Sequence, residues 1–351
     1  MKIHPLLNDP LAVLVYKRQV PAWPSEADFQ QAACEVLKIM QVELDSEKVA
    51  IKPNATSAER FADPDLGVGT HPTFIGGMVE YFNTHGARSN GIYVVEDPRD
   101  TDDFNPRHWE GTGYLEMATQ TGARLRCPNS HYCTYRHVPR PLVHPVRNVS
   151  RYAVDLETVL INVPKMKTHN LAITSLCLKN LMGLDDVFDR HYCGQALQEL
   201  PGHQDGLARS EWMHAAQHEA WQYGLARRLA DLAQVITPSL NVIEGIVGRD
   251  GTGFRNGQNY PLGLVIAGIN MVAVDSLTSA IMGFDPQELI YLKVAASIGL
   301  GCNDLRQLKV YIASGGILEI CPDLGALRVH LPFQVIRGIL NEDLELAPAV
   351  G

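Results

Sequence analysis

Short aliphatic runs separated by stretches of helical periodicity recur along this chain, and that alternation is what most limits its fold. Leu11–Tyr16, Val49–Ile51, Ile92–Val95, Thr158–Val163 and Leu240–Ile243 are too short for helices and too apolar to leave one face in water. Runs of that kind are strands covered on both sides. Between them, Phe29, Ala33, Val36, Leu37 and Met40 give helical spacing to residues 26–42. Further helices are expected at 72–86, 113–121, 171–182, 210–236, 276–282 and 286–298, with Gly183 and Pro238 marking two of the stops. Leu264–Ala267 and Met271–Val274 read as strand segments around Gly268-Ile269-Asn270. The expected class is therefore α/β, a layered fold on a mostly parallel or mixed sheet with an irregular insertion.

The insertion is the segment 99–150, rich in His, Cys, Arg, Pro and Tyr, which breaks the rhythm and reads as a cap on the body. On that reading residues 1–98 are an N-terminal α/β part, 151–340 a C-terminal part of the same body, and 341–351 a loose tail. Lys plus Arg number 30 against 39 Asp plus Glu, a formal charge of −9, which disfavours a nucleic-acid partner. Seven cysteines in 351 residues do not suggest a disulfide framework, and a reducing, cytoplasmic setting is expected. The longest apolar stretch, Leu262–Val274, is interrupted by Gly268 and Asn270 and is shorter than the roughly 20 residues a membrane span needs. The opening Met1-Lys2-Ile3-His4-Pro5 does not read as a secretion signal, so no membrane association is expected.

Open α/β sheets bind ligands beyond the carboxyl ends of their strands. Four such segments carry polar residues: Lys52-Pro53-Asn54, Glu96-Asp97, Pro164–His169 and Glu244–Gly257. The third places Lys165, Lys167, Thr168 and His169 between an apolar strand and an expected helix, whose N-terminus would favour an anion. Lys179 and Asn180 extend that polar surface. A carboxylate or phosphate fits such a group, and a desolvated lysine can serve as a base or nucleophile.

Other patterns are weaker. Gly245–Gly253 resembles a phosphate loop, but Phe254 follows Gly253 where a P-loop needs Lys, and Asn256 replaces the third glycine of a dinucleotide fingerprint. Its glycines are read as permitting tight turns beside a site. Cys127, His131, Cys133 and His137 fall within eleven positions and are zinc-type ligands, although their spacing matches no common zinc pattern. A metal ion held by those four is the one cofactor the sequence suggests. His214 and His218 continue the apolar stripe of Trp221, Leu225, Leu229 and Leu232, and are expected to pack inward.

Asn162-Val163-Pro164-Lys165-Met166-Lys167-Thr168-His169, followed by Leu178-Lys179-Asn180-Leu181-Met182-Gly183, resembles the family called domain of unknown function 362. Members of that family are often called iron–sulfur cluster proteins. Ile51-Lys52-Pro53-Asn54, Thr70-His71-Pro72, Glu244–Gly248, Gly251-Thr252-Gly253, Ala273-Val274-Asp275 and Met282–Pro286 agree in order, so the likeness spans about residues 49–310. It implies that Lys165, Lys167 and His169 belong to a functional site. The ferredoxin-type cysteine run found in many members is missing; Cys34, Cys177, Cys193, Cys302 and Cys321 are scattered.

The leading expectation is an enzyme acting on a small anionic molecule, with Lys167, His169, Lys165 and Glu244 as its catalytic groups. Lys165 and Lys167 would hold the anion, His169 would move a proton, and Glu244 and Asp275 would orient a base or bind a cation. Lys52, Asn54, Thr168, Lys179, Asn180, Gly251, Gly253 and Asp275 are the expected substrate contacts. A metal- or cluster-dependent redox protein and a non-catalytic anion-binding module are the competing expectations.

Overall fold

The computed structural model describes residues 1–46, 48–55, 67–86, 91–98, 106–200, 215–253, 256–314, 317–329, 332–336 and 346–347. The strands, in chain order, begin with β1 (Ala12–Lys17), β2 (Lys48–Pro53), β3 (Ile92–Val95), β4 (Arg124–Arg126), β5 (Cys133–His137) and β6 (Val146–Ser150). They continue with β7 (Thr158–Val163), β8 (Lys165–His169), β9 (Ile173–Ser175), β10 (Leu240–Arg249), β11 (Asn259–Gly268), β12 (Lys309–Ser314) and β13 (Ile317–Ile320). One 11-stranded sheet organises the protein, in the order β13-β12-β1-β11-β10-β7-β2-β3-β4, with β8 on β10 and β9 on β8. Strands β10, β7, β2, β3 and β4 run parallel, while β11 is antiparallel to both β10 and β1. The sheet is therefore mixed, with a parallel half that holds the polar strand ends.

Apolar side chains on successive sheet residues go to opposite faces, and helices cover both. Helices α1 (Glu26–Ile39), α2 (Pro72–Thr84) and α3 (Tyr114–Thr121) bring Phe29, Val36, Phe74, Phe82 and Tyr114 onto Val49, Ile51, Ile161 and Val265. The other face carries α4 (Arg151–Val154), α5 (Cys177–Asn180), α6 (Tyr192–Gln198), α7 (Ala215–Ala233), α8 (Met271–Ile281) and α9 (Ile290–Ser297). There Leu178, Trp221, Leu225, Val274 and Leu292 cover Ala50, Leu160, Ile243 and Ile266. Helix α1 starts where its sequence says it should: Asp28 Oδ2 accepts from both the backbone N–H and the hydroxyl of Ser25, each at 2.8 Å, which holds the N-terminus closed.

Several local expectations fail, and the polar segment Lys165–His169, expected as a loop between a strand and a helix, is itself strand β8. Met271–Val274 is the first turn of α8 and not a strand; Asn270 accepts from Val272 N (3.0 Å) and Ala273 N (3.0 Å), and every residue of the helix is buried, which removes the polar face that marks a helix in sequence. The expected helix at 171–182 is instead the hairpin strand β9, the four-residue α5 and the 3-10 turn Leu181–Leu184. Gly245 and Gly248 lie inside β10, which runs six residues past Ile243 because β8 and β11 hold it on both edges. Residues 309–320, for which no strand was expected, form β12 and β13.

The 99–150 segment carries α3 where a helix was expected, and it also places β4 at the edge of the main sheet and folds β5 against β6 as a hairpin. Buried Asp231 of α7 ties that segment down by accepting from the backbone N–H groups of Leu142, Val143 and His144 at 2.7–2.8 Å. Within the 341–351 tail, Leu346–Ala347 pairs with Val335–Ile336. His214 lies outside the described residues. Among those described, no helix is long and apolar enough to cross a membrane.

Candidate functional site

In chain order β2 and β3 are laid down to one side of the parallel half, and β7 and β10 to the other. The order therefore reverses between β2 and β7, and such a switch point leaves a crevice beyond the carboxyl ends of the two strands. A cleft of about 300 Å³ occupies that place. Lys52, Asn54, Lys167, His169, Lys179 and Asn180 line it, all six expected from sequence, together with Glu96, Asp97, Ser175, Met182, Gly183, Arg190 and His191. The Glu96-Asp97 loop was visible as a strand end. Arg190 and His191 carry no such signal, because they reach the cleft from a segment beyond the 3-10 turn.

Two of the four lysine and arginine side chains in the wall are neutralised by carboxylates there. Lys52 donates to Glu96 Oε2 at 2.6 Å and to its neighbour's carbonyl, Pro53 O, at 2.8 Å. Arg190 donates to Asp97 Oδ2 at 2.9 Å. Lys167 and Lys179 pair with no carboxylate among the described residues; the Lys167 ammonium rests on Val68 O at 2.7 Å. Burial, with Lys179, Arg249 and Lys165 near it, holds the Lys167 pKa well below that of a free lysine. The Asn54 side-chain oxygen is buried at the cleft and has no hydrogen-bond partner among the described residues.

His169 has a defined tautomer. Its Nδ1 accepts from Leu171 N (3.0 Å) and Ala172 N (3.2 Å), so the ring proton sits on Nε2. Those two bonds form the turn that joins β8 to β9, and Ile173, which opens β9, has φ +69. A β-branched residue in the left-handed region costs on the order of 1–3 kcal/mol, and such strain gathers at functional sites. Burial, then Lys179 and Lys167, keep the His169 pKa well below its ordinary value. A neutral imidazole with its proton on Nε2 donates a hydrogen bond, which suits an anion; to accept a proton it would first have to release both backbone bonds.

The remaining expected residues are placed elsewhere. Lys165, 2% exposed, donates to Glu244 Oε2 at 2.6 Å, and neither residue lines the cleft. Glu244 also accepts from His71 N (3.3 Å) and Ile246 N (2.9 Å), so the pair bolts β8 to β10 and to the start of α2. Thr168 donates to Gly251 O at 2.8 Å, and Gly253 (φ +75) brings its backbone so close to β8 that a Cβ would lie 2.0 Å from Thr168 O. The two glycines and Thr168 thus brace Lys167 from behind. Asp275 is fully buried and accepts from Cys177 N (2.7 Å) and Leu178 N (3.0 Å). The helix N-terminus expected to receive an external anion is therefore capped by a carboxylate of the chain itself.

Cys127, His131, Cys133 and His137 do not converge. His131 and His137 are exposed, and Cys133 bonds to Asn129 O at 3.2 Å. The extended β5 keeps Cys133 and His137 roughly 13 Å apart along the strand, at about 3.3 Å per residue. Cys127 turns instead into the body, where burial and then Asp97 raise its thiol pKa to about 12. All seven cysteines are free thiols. Among the described residues no set of cysteines gathers as an iron–sulfur cluster would need; the one group of metal-capable side chains there, Asp97, His108 and Cys127, contains a single thiol.

The fold and the cleft define an α/β protein with a mixed sheet and a cleft lined by lysine and arginine side chains at the reversal of strand order. Residues 49–280 match the family described as Domain of unknown function (DUF362), and the chain belongs to that family. Over 152 residues it is 26% identical to a thylakoid-associated protein of Synechocystis sp., an alignment that covers 43% of this chain and 40% of that protein. The chain thus matches about two fifths of the length of that curated relative. A crystal structure of a protein from Thermotoga maritima is similar with a TM-score of 0.46 and 9% identity, covering 83% of this chain and 61% of that one.

Proposed function

We propose that the cleft binds a small anionic molecule, a carboxylate or a phosphate, and that the protein acts on it by proton transfer at Lys167. The observation that carries this reading is the unneutralised pair, Lys167 and Lys179, beside the Nε2–H of His169 in the wall of a protein whose net charge is −9. Lys179, half-buried, holds the anion; His169 donates to it; Lys167 exchanges a proton with it. A lysine that burial has brought toward the neutral amine is suited to that last task, because a base works best with a pKa near the working pH. Asn54 supplies a further polar group facing the ligand. The free thiols support a cytoplasmic setting.

Calorimetric titration with inorganic phosphate and a panel of mono- and dicarboxylates tests the binding step. At least one of these should bind, and Lys179→Met and Lys167→Met should each weaken it by about tenfold or more, the loss expected for a buried charged hydrogen bond of 1.5–3 kcal/mol. Wild-type protein that binds none of them, or variants that bind as well as wild type, would overturn the reading. For any ligand that is turned over, Lys167→Met should abolish kcat while Lys179→Met raises KM. Tight binding without turnover would instead identify an anion-binding module.

A further inference from the structure

We propose that Asp97, His108 and Cys127 form a binding site for a divalent cation of the zinc type, set in the wall of the anion cleft. The parallel pairing of β3 with β4 places Val95 opposite Arg126, so the residues just beyond those two strand ends, Asp97 and Cys127, are neighbours. His108 reaches them from the 3-10 turn Pro106–Trp109. One ligand atom from each lies within 4.8 Å of the other two. Three ligands at zinc distances of about 2.0–2.3 Å stand roughly 3.3–3.8 Å apart, so side-chain rotations close the remaining gap.

The donor set selects the ion. One thiolate with one imidazole suits borderline-soft Zn²⁺ and disfavours Mg²⁺ and Ca²⁺, which prefer oxygen. Three protein ligands also leave a coordination position for water or substrate, as in catalytic zinc sites. Groups outside the ligand set support it. Buried Trp109 lies in the same core cluster as Cys127, and Arg190 fixes the Asp97 carboxylate through Oδ2 at 2.9 Å. Outer partners of this kind orient ligands and tune the bound metal. Binding exchanges the thiol proton, released to solvent, for the sulfur–metal bond, with no change of oxidation state. Asp97 belongs both to this group and to the cleft lining, so a bound cation would face the anion held by Lys167 and Lys179.

Full-length protein freed of metal by a chelator is titrated with Zn²⁺ under dialysis, and with Co²⁺ while absorption is recorded. One Zn²⁺ per chain is expected, with a thiolate-to-cobalt charge-transfer band. Cys127→Ser should lose the band, His108→Gln should weaken Zn²⁺ binding by about tenfold or more, and Cys133→Ser should change neither. No stoichiometric Zn²⁺ on wild type, a band that survives Cys127→Ser, or unchanged affinity in His108→Gln would overturn the site. Circular dichroism and melting check each variant; if Cys127→Ser does not fold, the His108→Gln affinity decides alone. Phosphate and carboxylate titration of the metal-free protein reads the cleft separately, so failure of one assignment is distinguishable from failure of the other.

Discussion

Lys165 Nζ meets Glu244 Oε2 at 2.6 Å across the junction of β8 and β10, with both side chains out of water. The lysine is one of two that the sequence offers to an anion, and the fold has already given it one.

Breaking that pair should be costly. Burial pushes the Lys165 pKa down and Glu244 opposes the shift, so a lone lysine there loses the partner that keeps it charged. Glu244→Gln should lower stability by about 3–5 kcal/mol, while Lys165→Met with Glu244→Leu should recover much of that loss. Urea denaturation of the two variants decides: a Glu244→Gln midpoint equal to that of wild type would mean that the pair bears no structural weight.

Lys167 should behave in the opposite way. Its charge is buried without a carboxylate, so Lys167→Met should fold with a stability equal to or above that of wild type, within about 1 kcal/mol for the lost bond to Val68 O. A large fall in melting temperature would mark it as structural.

The same lysine sets a pH dependence. Its pKa in the free protein is lowered and the unfolded value is near 10.5, so between the two the unfolded chain binds more protons. This group therefore makes the free protein more stable as pH rises through that window. An anion favours the charged form, so binding should take up a proton, and affinity should fall as pH rises through the lysine's pKa in the complex. Calorimetry in two buffers of different ionisation enthalpy measures that uptake, which should vanish in Lys167→Met.

Asp275 is pushed up to about 7 by burial, against an ordinary value of 3.8. The folded state then binds the extra proton between those values, so this group's contribution makes the protein less stable as pH rises from about 4 to 7. Asp275→Asn leaves one of the two N–H groups of α5 without an acceptor and should cost about 1–3 kcal/mol. Because the amide does not titrate, the deficit of the variant should shrink as pH approaches 7. A deficit that grows instead would show that the carboxylate is charged throughout.

Gly183 is held against the Lys52–Glu96 pair: a Cβ there would sit 2.6 Å from Glu96 Oε1 and 2.8 Å from Lys52 Nζ. Both ends are buried and hydrogen-bonded, so they cannot swing clear without losing bonds. Gly183→Ala should cost about 1–3 kcal/mol and also weaken anion binding. Denaturation together with phosphate titration reads both effects.

Sequence alone determined the α/β class, the six adjacent strands β1, β11, β10, β7, β2 and β3, and the strand-end location of the cleft, but not β4–β6, β8, β9, β12 or β13. A strand covered on both faces is apolar along its length and its polar neighbours follow its end, as Lys165–His169 follows Thr158–Val163; that this polar segment itself pairs with β10 as strand β8 was not legible in the sequence. It could not tell a buried helix from a buried strand at Met271–Val274, because amphipathic period disappears when every side is covered. Nor could it assign partners. Lys165 and Lys167 are two residues apart on the same face of β8, yet one faces Glu244 from a strand 79 residues away and the other opens on the cleft. Cys127 likewise leaves His131 and His137, its neighbours in sequence, for Asp97 and His108. Which charges neutralise each other and which remain for a ligand depends on contacts between distant segments, and only the folded sheet decides them.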